Sequence, residues 1–200
     1  MTERRVNRGR RRFLVGATGV MGAVGAMGAA VPFVASWQPS ARALAAGAPV
    51  RVDITKLAPG QQVTVAWRGR PVWLVHRTPA MIERTRGFDP DRLRDPESRA
   101  PQQPPYADGP LRAIKPEIGV LVGICTHLGC SPVYRPEPGQ PAFGSDWPGG
   151  YFCPCHGSKF DLAGRVFTNV PAPLNLEVPP HRYERDSVVV IGEDPEVADG

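Results

Sequence analysis

All four cysteines of this 200-residue chain lie in two short stretches, C-T-H-L-G-C from Cys125 to Cys130 and C-P-C-H-G-S-K from Cys153 to Lys159, together with two of its four histidines. Each stretch offers one cysteine and one histidine close enough to grip a single metal centre, Cys125 with His127 and Cys153 with His156. Two thiolates and two imidazoles suit either a tetrahedral zinc ion or a 2Fe-2S cluster in which two histidines replace two cysteines on one iron. Cys130 and Cys155 are left over, which suggests a disulfide between the loops. A structural zinc in a reducing compartment rarely carries such a second pair, so the balance leans to the cluster. Haem attachment is excluded by spacing: it needs two residues between the cysteines, and one separates Cys153 from Cys155. His76 and His181 sit in strand-like runs, where a lone histidine is packed or solvated, and receive no role.

The two loops resemble those of the Rieske iron-sulfur protein of the respiratory cytochrome bc complex, whose pattern is C-T-H-x-G-C and C-P-C-H-G-S. The resemblance extends to an anchored N-terminus and to Pro171-Ala172-Pro173, and covers nearly the whole chain. It implies that Cys125, His127, Cys153 and His156 ligate one 2Fe-2S cluster, that Cys130 and Cys155 pair, and that Ser158 donates a hydrogen bond to a bridging sulfide. His127 and His156 are then the catalytic residues, each presenting a free ring nitrogen to a quinol at the tip of the domain. Leu128, Gly129, Pro132 and Gly157 are expected to form an apolar tip that docks on cytochrome b. Two departures stand out. Phe160 occupies a position where high-potential relatives carry a tyrosine, and Val170 stands where a third, shielding loop usually opens with glycine.

Elements must carry these loops to their place. Gly9-Arg10-Arg11-Arg12-Phe13-Leu14 is similar to a twin-arginine export signal, which marks residues 1–12 as a cytoplasmic signal region. An uncharged run from Phe13 to Trp37 is long enough for a helix to cross a hydrocarbon core of ~30 Å, with the preceding arginines holding its start in the cytoplasm. Its glycines, Gly16, Gly19, Gly22, Gly25 and Gly28, recur every third residue and so wind around the helix. The reading is a slim helix packed on a larger membrane partner, with Pro32 near its exit and Trp37 at the far interface. Ala43-Leu44-Ala45 has the small-x-small form of a cleavage site; the resemblance favours an uncleaved anchor, with residues 38–49 as a hinge.

From residue 50 to 200 the expected fold is mostly β, a Rieske-type antiparallel domain with an inserted cluster-binding part at about 120–175. Consecutive antiparallel strands are expected at Val50–Ile54, Val63–Trp67 and Val72–His76, the last two around a Gly69 turn. Thr78 caps a short helix from Pro79 to Arg86. Residues 89–109 read as a charged, proline-rich surface loop. Val120–Ile124 delivers Cys125, and 134–150, with four prolines and four glycines, reads as a surface excursion. A hairpin near Ala163-Gly164 follows, then strands at Leu176–Val178 and Ser187–Ile191 and a frayed acidic tail from Asp194.

Charge excludes one function class. Six of the 24 Lys and Arg residues precede Phe13, against one of the 19 Asp and Glu, so the net charge of +5 belongs entirely to the first twelve residues. No basic stripe is left in the domain for nucleic acid. The resemblance instead implies the electron-transfer subunit of a quinol-cytochrome c reductase in a bacterial inner membrane, spanning once, with its Rieske domain periplasmic. It implies as partners ubiquinol, cytochrome b and a cytochrome c-type haem subunit in a dimeric complex. The alternative is the small Rieske subunit of a periplasmic oxidase such as arsenite oxidase, which shares both loops and the export signal. A Rieske ferredoxin or oxygenase lacks the spare cysteine pair and the anchor, and a zinc-stapled binding module would show no visible absorption.

Overall fold

The computed structural model describes residues 7–41, 43, 47–144 and 146–195. The chain divides into two units, Met1–Ala45 and Ala46–Gly200. Arg4, Arg5 and Leu44 lie outside the described residues, as do most of the small-x-small site and residues 196–200 of the tail.

Most of the described part of the first unit is a helix, α1, Arg8–Ala35. It starts five residues before the uncharged run, because arginine is a good helix former and Asn7 caps the end. The Asn7 side chain accepts from the backbone N–H groups of Gly9 and Arg10, both at 3.1 Å. At 1.5 Å per residue the helix is about 42 Å long, and its length and composition suffice to cross a membrane. Pro32 lies inside it, and Trp37 falls in the turn beyond its end.

Among its described residues the second unit carries nine strands in three antiparallel sheets of three. These are β1 (Val50–Asp53), β2 (Gln62–Trp67), β3 (Arg70–His76), β4 (Ile118–Val122), β5 (Val133–Arg135), β6 (Gly150–Phe152), β7 (Lys159–Asp161), β8 (His181–Arg185) and β9 (Val188–Ile191). The orders are β1-β9-β8, β2-β3-β4 and β5-β6-β7. The β2–β3 hairpin closes on Trp67 and Arg70, and its two turn residues, Arg68 and Gly69, have φ of 50° and 72°. Both values are positive, as a two-residue turn matched to strand twist requires. β1 is not a neighbour of β2; it pairs with β9, Val50 opposite Ile191. α2, Pro79–Arg86, starts at Thr78, whose hydroxyl accepts from Met81 N–H at 3.3 Å.

The middle sheet is covered on both faces, which explains why β3 and β4 read as continuous apolar runs. Val72, Leu74, Ile118, Val120 and Val122 pack against Val52, Val189 and Ile191. The opposite side chains, Trp73, Val75 and Leu121, pack against Tyr151, Phe160, Cys125 and Cys153. The second of these cores is the floor of the candidate site. Trp73 stacks on Tyr151 with ring centroids 4.9 Å apart, and Gly123 has no room for a side chain, since a Cβ there would meet the Trp73 ring at 2.3 Å.

Besides the pairing of β1, three expected elements differ. Leu176–Val178 forms no strand: Leu176 N–H donates to Gly164, Val178 N–H to Gln102, and Glu177 C=O accepts from Val122, three separate partners rather than one ladder. Residues 89–109 are not wholly at the surface, because Leu93 and Ala107 are buried. The 134–150 excursion begins and ends in β5 and β6 and folds back between them. Trp147 is buried, donates through Nε1 to Arg135 C=O at 3.2 Å and stacks on Phe167, while Phe143 packs on Phe152. Aromatic burial overrides the Pro/Gly composition there.

Candidate metal centre

β4 ends three residues before Cys125, and β6 and β7 are joined by the second cysteine loop. The two loops are built alike. In the first, Cys125 N–H donates to Cys130 C=O at 2.7 Å and Gly129 N–H to Cys125 C=O at 3.0 Å; in the second, Cys153 N–H donates to Ser158 C=O at 2.8 Å and Gly157 N–H to Cys153 C=O at 2.9 Å. Gly129 and Gly157 turn both loops with φ of 83° and 80°, a left-handed conformation that glycine adopts without penalty. Their work is therefore in shaping the loops.

This repeated geometry places like groups together. Cys125 and Cys153 are free and buried, while His127 is half-buried, His156 is exposed, and the two imidazoles meet edge to face with centroids 4.8 Å apart. Among the described residues neither ring is engaged in a hydrogen bond within the chain. Burial pushes the Cys125 thiol above its ordinary pKa; the His127 backbone N–H opposes this, the neighbouring Cys153 sulfur adds to it, and the Ser158 hydroxyl opposes it again. Two adjacent free cysteines in an apolar floor form a donor set suited to a metal centre that takes them as thiolates. The residues thus fit a 2Fe-2S cluster of the mixed cysteine and histidine type.

Cys130 and Cys155 are joined by a disulfide with Cα atoms 6.6 Å apart, and the Cys153 sulfur lies within 4.8 Å of both bridge sulfurs. The bridge spans 25 residues, a closure that restricts an unfolded chain by about 3.5 kcal/mol in the chain-entropy model. With the cluster bound, the loops are already held and the extra closure is small. Replacing both cysteines with serine should therefore lower the melting temperature of the cluster-free protein more than that of the loaded one, and calorimetry of both forms is the check. Equal losses would place the effect in the fold rather than in the loops.

A third segment completes the site. Ala172 N–H donates to Ser158 Oγ at 3.1 Å, and Thr126 Oγ1 donates to Leu174 C=O at 2.6 Å, so the Pro171 loop is tied to both cysteine loops. Asn169, with φ of 58°, supplies the left-handed turn that Val170 cannot. Thr126 was not among the expected site residues; its only sequence signal is its place between Cys125 and His127. The exposed apolar tip consists of Leu128 and Leu174, whereas Pro132 is buried and does not belong to it.

Phe160 is fully buried in β7 and shares the core of Cys125 and Cys153. A hydroxyl donating to a ligand sulfur favours the more negative, reduced state. A net hydrogen bond of ~0.5–1.5 kcal/mol corresponds to roughly 20–65 mV for one electron, at 59 mV per tenfold change. Phe160→Tyr should raise the midpoint potential by some tens of millivolts in protein-film voltammetry; an unchanged potential would mean that the new hydroxyl reaches no sulfur.

The family comparisons agree with this geometry. Residues 1–40 match the family described as "Ubiquitinol-cytochrome C reductase Fe-S subunit TAT signal", and residues 105–180 match the "Rieske [2Fe-2S] domain", which gives the chain its cofactor. The chain is similar to the ubiquinol-cytochrome c reductase iron-sulfur subunit of Allochromatium vinosum, with 61% identity over 97% of this chain and 93% of the relative. The corresponding subunit of Rhodospirillum rubrum is 43% identical, covering 92% and 91%. The mitochondrial Rieske subunit of Neurospora crassa is 42% identical, covering 90% and 69%. Similarity of this extent from end to end favours the respiratory reading over the periplasmic oxidase, and the chain belongs to the Rieske iron-sulfur subunits of ubiquinol-cytochrome c reductase.

Proposed function

We propose that Cys125, Cys153, His127 and His156 are the four cluster ligands, and that this head takes an electron and a proton from ubiquinol and hands the electron to a cytochrome c-type haem subunit. One observation carries the reading: two disulfide-linked loops each bring a buried thiol and a more exposed imidazole to the site, and the two imidazoles meet edge to face. When bound, a 2Fe-2S cluster with two histidine ligands supplies a one-electron acceptor in the range of about −150 to +300 mV, against roughly −400 mV for plant-type ferredoxins. The chain's own residues do the rest. Cys125 and Cys153 hold the inner side, away from water. His127 or His156 accepts a hydrogen bond from the quinol hydroxyl at the ring nitrogen that faces out, and takes its proton there. Leu128 and Leu174 present apolar surface beside them, suited to a quinone ring and to the wall of cytochrome b. Ser158, buried and fixed by Ala172 N–H, orients its hydroxyl toward the Cys125 thiol.

In this proposal residues 1–12 are the signal region, 13–37 the single membrane anchor with its N-terminus in the cytoplasm, 38–49 the hinge, and 50–200 the periplasmic Rieske domain within a dimeric complex. The apolar length of α1 and the match of the first 40 residues support it.

A nearby positive centre favours the deprotonated imidazole, so the oxidised protein should lose protons that the reduced protein keeps. The sign follows: reduction takes up protons, and the midpoint potential falls as pH rises, by about 59 mV per unit for each proton coupled to one electron. Voltammetry of the loaded chain from pH 6 to pH 10 tests this, and a flat profile would remove the proton-accepting role of both histidines.

A further inference from the structure

The arginines at the start of α1 are not evenly spread around the helix. At 100° per residue, Arg8, Arg11 and Arg12 fall on one face together with Val15 and Gly16, while Arg10 points the opposite way. Those five residues line a groove of about 630 Å³. Its upper part is guanidinium. Its lower part is apolar and open, since a Cβ at Gly16 would meet nothing within 4 Å. No acidic residue occurs between Glu3 and Asp53, so nothing in that stretch of the sequence can neutralise the three cations. Asn7 already occupies the N–H groups of Gly9 and Arg10, which leaves side chains rather than the helix end as the anion-binding groups.

We propose that this face is a binding site for one anionic phospholipid. The headgroup phosphate is held by Arg8, Arg11 and Arg12, and the glycerol and upper acyl chain lie along Val15 and Gly16. Charge complementarity selects the head, and the change from guanidinium to apolar lining within two helical turns, just where the uncharged run begins at Phe13, selects a ligand with a polar end and an oily one. A free phosphate satisfies the first condition and not the second. The inference rests on α1 spanning the bilayer with its arginines at the membrane boundary. It goes beyond the general attraction of basic residues for anionic membranes by placing the site on one side of the helix.

That difference sets the test. The full chain is synthesised directly into vesicles of phosphatidylcholine and phosphatidylglycerol in a 9:1 ratio, so that export is not needed, then extracted in mild detergent, and the lipid retained per chain is measured by mass spectrometry. Arg11→Gln and Arg10→Gln carry the same net charge. Arg11→Gln should retain about fivefold less phosphatidylglycerol than the unaltered chain, Arg10→Gln should retain as much as the unaltered chain, and Gly16→Leu, which keeps every charge, should also retain less. Equal losses for Arg10→Gln and Arg11→Gln, or no preference for phosphatidylglycerol over phosphatidylcholine, would overturn the site while leaving the anchor intact. If the unaltered chain is washed from the vesicles by alkaline carbonate, anchor and site fall together.

Discussion

Replacing any one of Cys125, His127, Cys153 or His156 with alanine should abolish the EPR signal of the reduced cluster, while the cluster-free domain keeps its β-rich circular dichroism. The effect is all or nothing because the site has no spare donor. Among the described residues the only other sulfurs near Cys153 belong to the Cys130–Cys155 bridge, which offers no thiolate. The remaining histidines are committed elsewhere. His181 is buried with Nδ1 paired to Pro179 C=O at 2.8 Å, and His76 pairs with Leu57 C=O at 2.6 Å. The fold survives because the floor of the site, Trp73, Tyr151, Phe160 and Val166, packs on Val75, Leu121, Leu176 and Val178 as well as on the two cysteines. A persistent signal after His156→Ala would show that the ligand set is wrong.

The second large effect is on stability, from a cluster of charge directly behind the site. Arg77, Arg112 and Arg165 are buried, and Asp161 is the carboxylate buried among them. Asp161 accepts from Ala163 N–H at 2.9 Å, from Arg165 N–H at 2.8 Å and from Arg165 Nε at 2.7 Å, and Arg165 also donates to Thr85 C=O at 2.8 Å. Arg77 and Arg112 donate to the next two carbonyls, Leu162 at 3.2 Å and Ala163 at 3.0 Å. Burial pushes the Arg112 guanidinium down to about 10, and the Asp161 charge works against that shift. Breaking a buried pair costs about 3–5 kcal/mol, because the survivor is left without a partner. Asp161→Asn leaves three buried cations with no anion, whereas Arg165→Met leaves two cations beside one. Both should destabilise by several kcal/mol in urea denaturation, and Asp161→Asn should cost more. The reverse order would mean that Asp161 does not serve Arg77 and Arg112.

How far the sequence shows this structure depends on how local each feature is. The β2–β3 hairpin was legible, since alternation and the Gly69 turn lie within fifteen residues, and so was α2, whose cap and proline adjoin it. The pairing of β1 with β9 was not: its partners are more than 130 residues apart and nothing local marks them. The two cysteine loops were the most legible part: the pairing of Cys130 with Cys155 is present, and both loops close with the same hydrogen bonds. The supports behind them were hidden. Arginine is ordinarily a surface residue, so Arg77 and Arg112 gave no sign of burial, although Gly119, where a Cβ would meet the Arg77 guanidinium at 2.6 Å, makes the space for one of them. Pro132 looked like part of an apolar tip and is buried, while Leu174, in a segment read as part of a shield, is exposed. Facing direction in irregular loops has no period to betray it.

Two histidine nitrogens, one from His127 and one from His156, are the most direct mark of the proposed ligand set. With the full chain loaded with its cluster, reduced, and labelled with ¹⁵N in histidine alone, pulsed EPR should resolve two strongly coupled histidine nitrogens. Two couplings in the unaltered protein are what Cys125, His127, Cys153 and His156 predict; a single coupling, or none, would contradict the site described here.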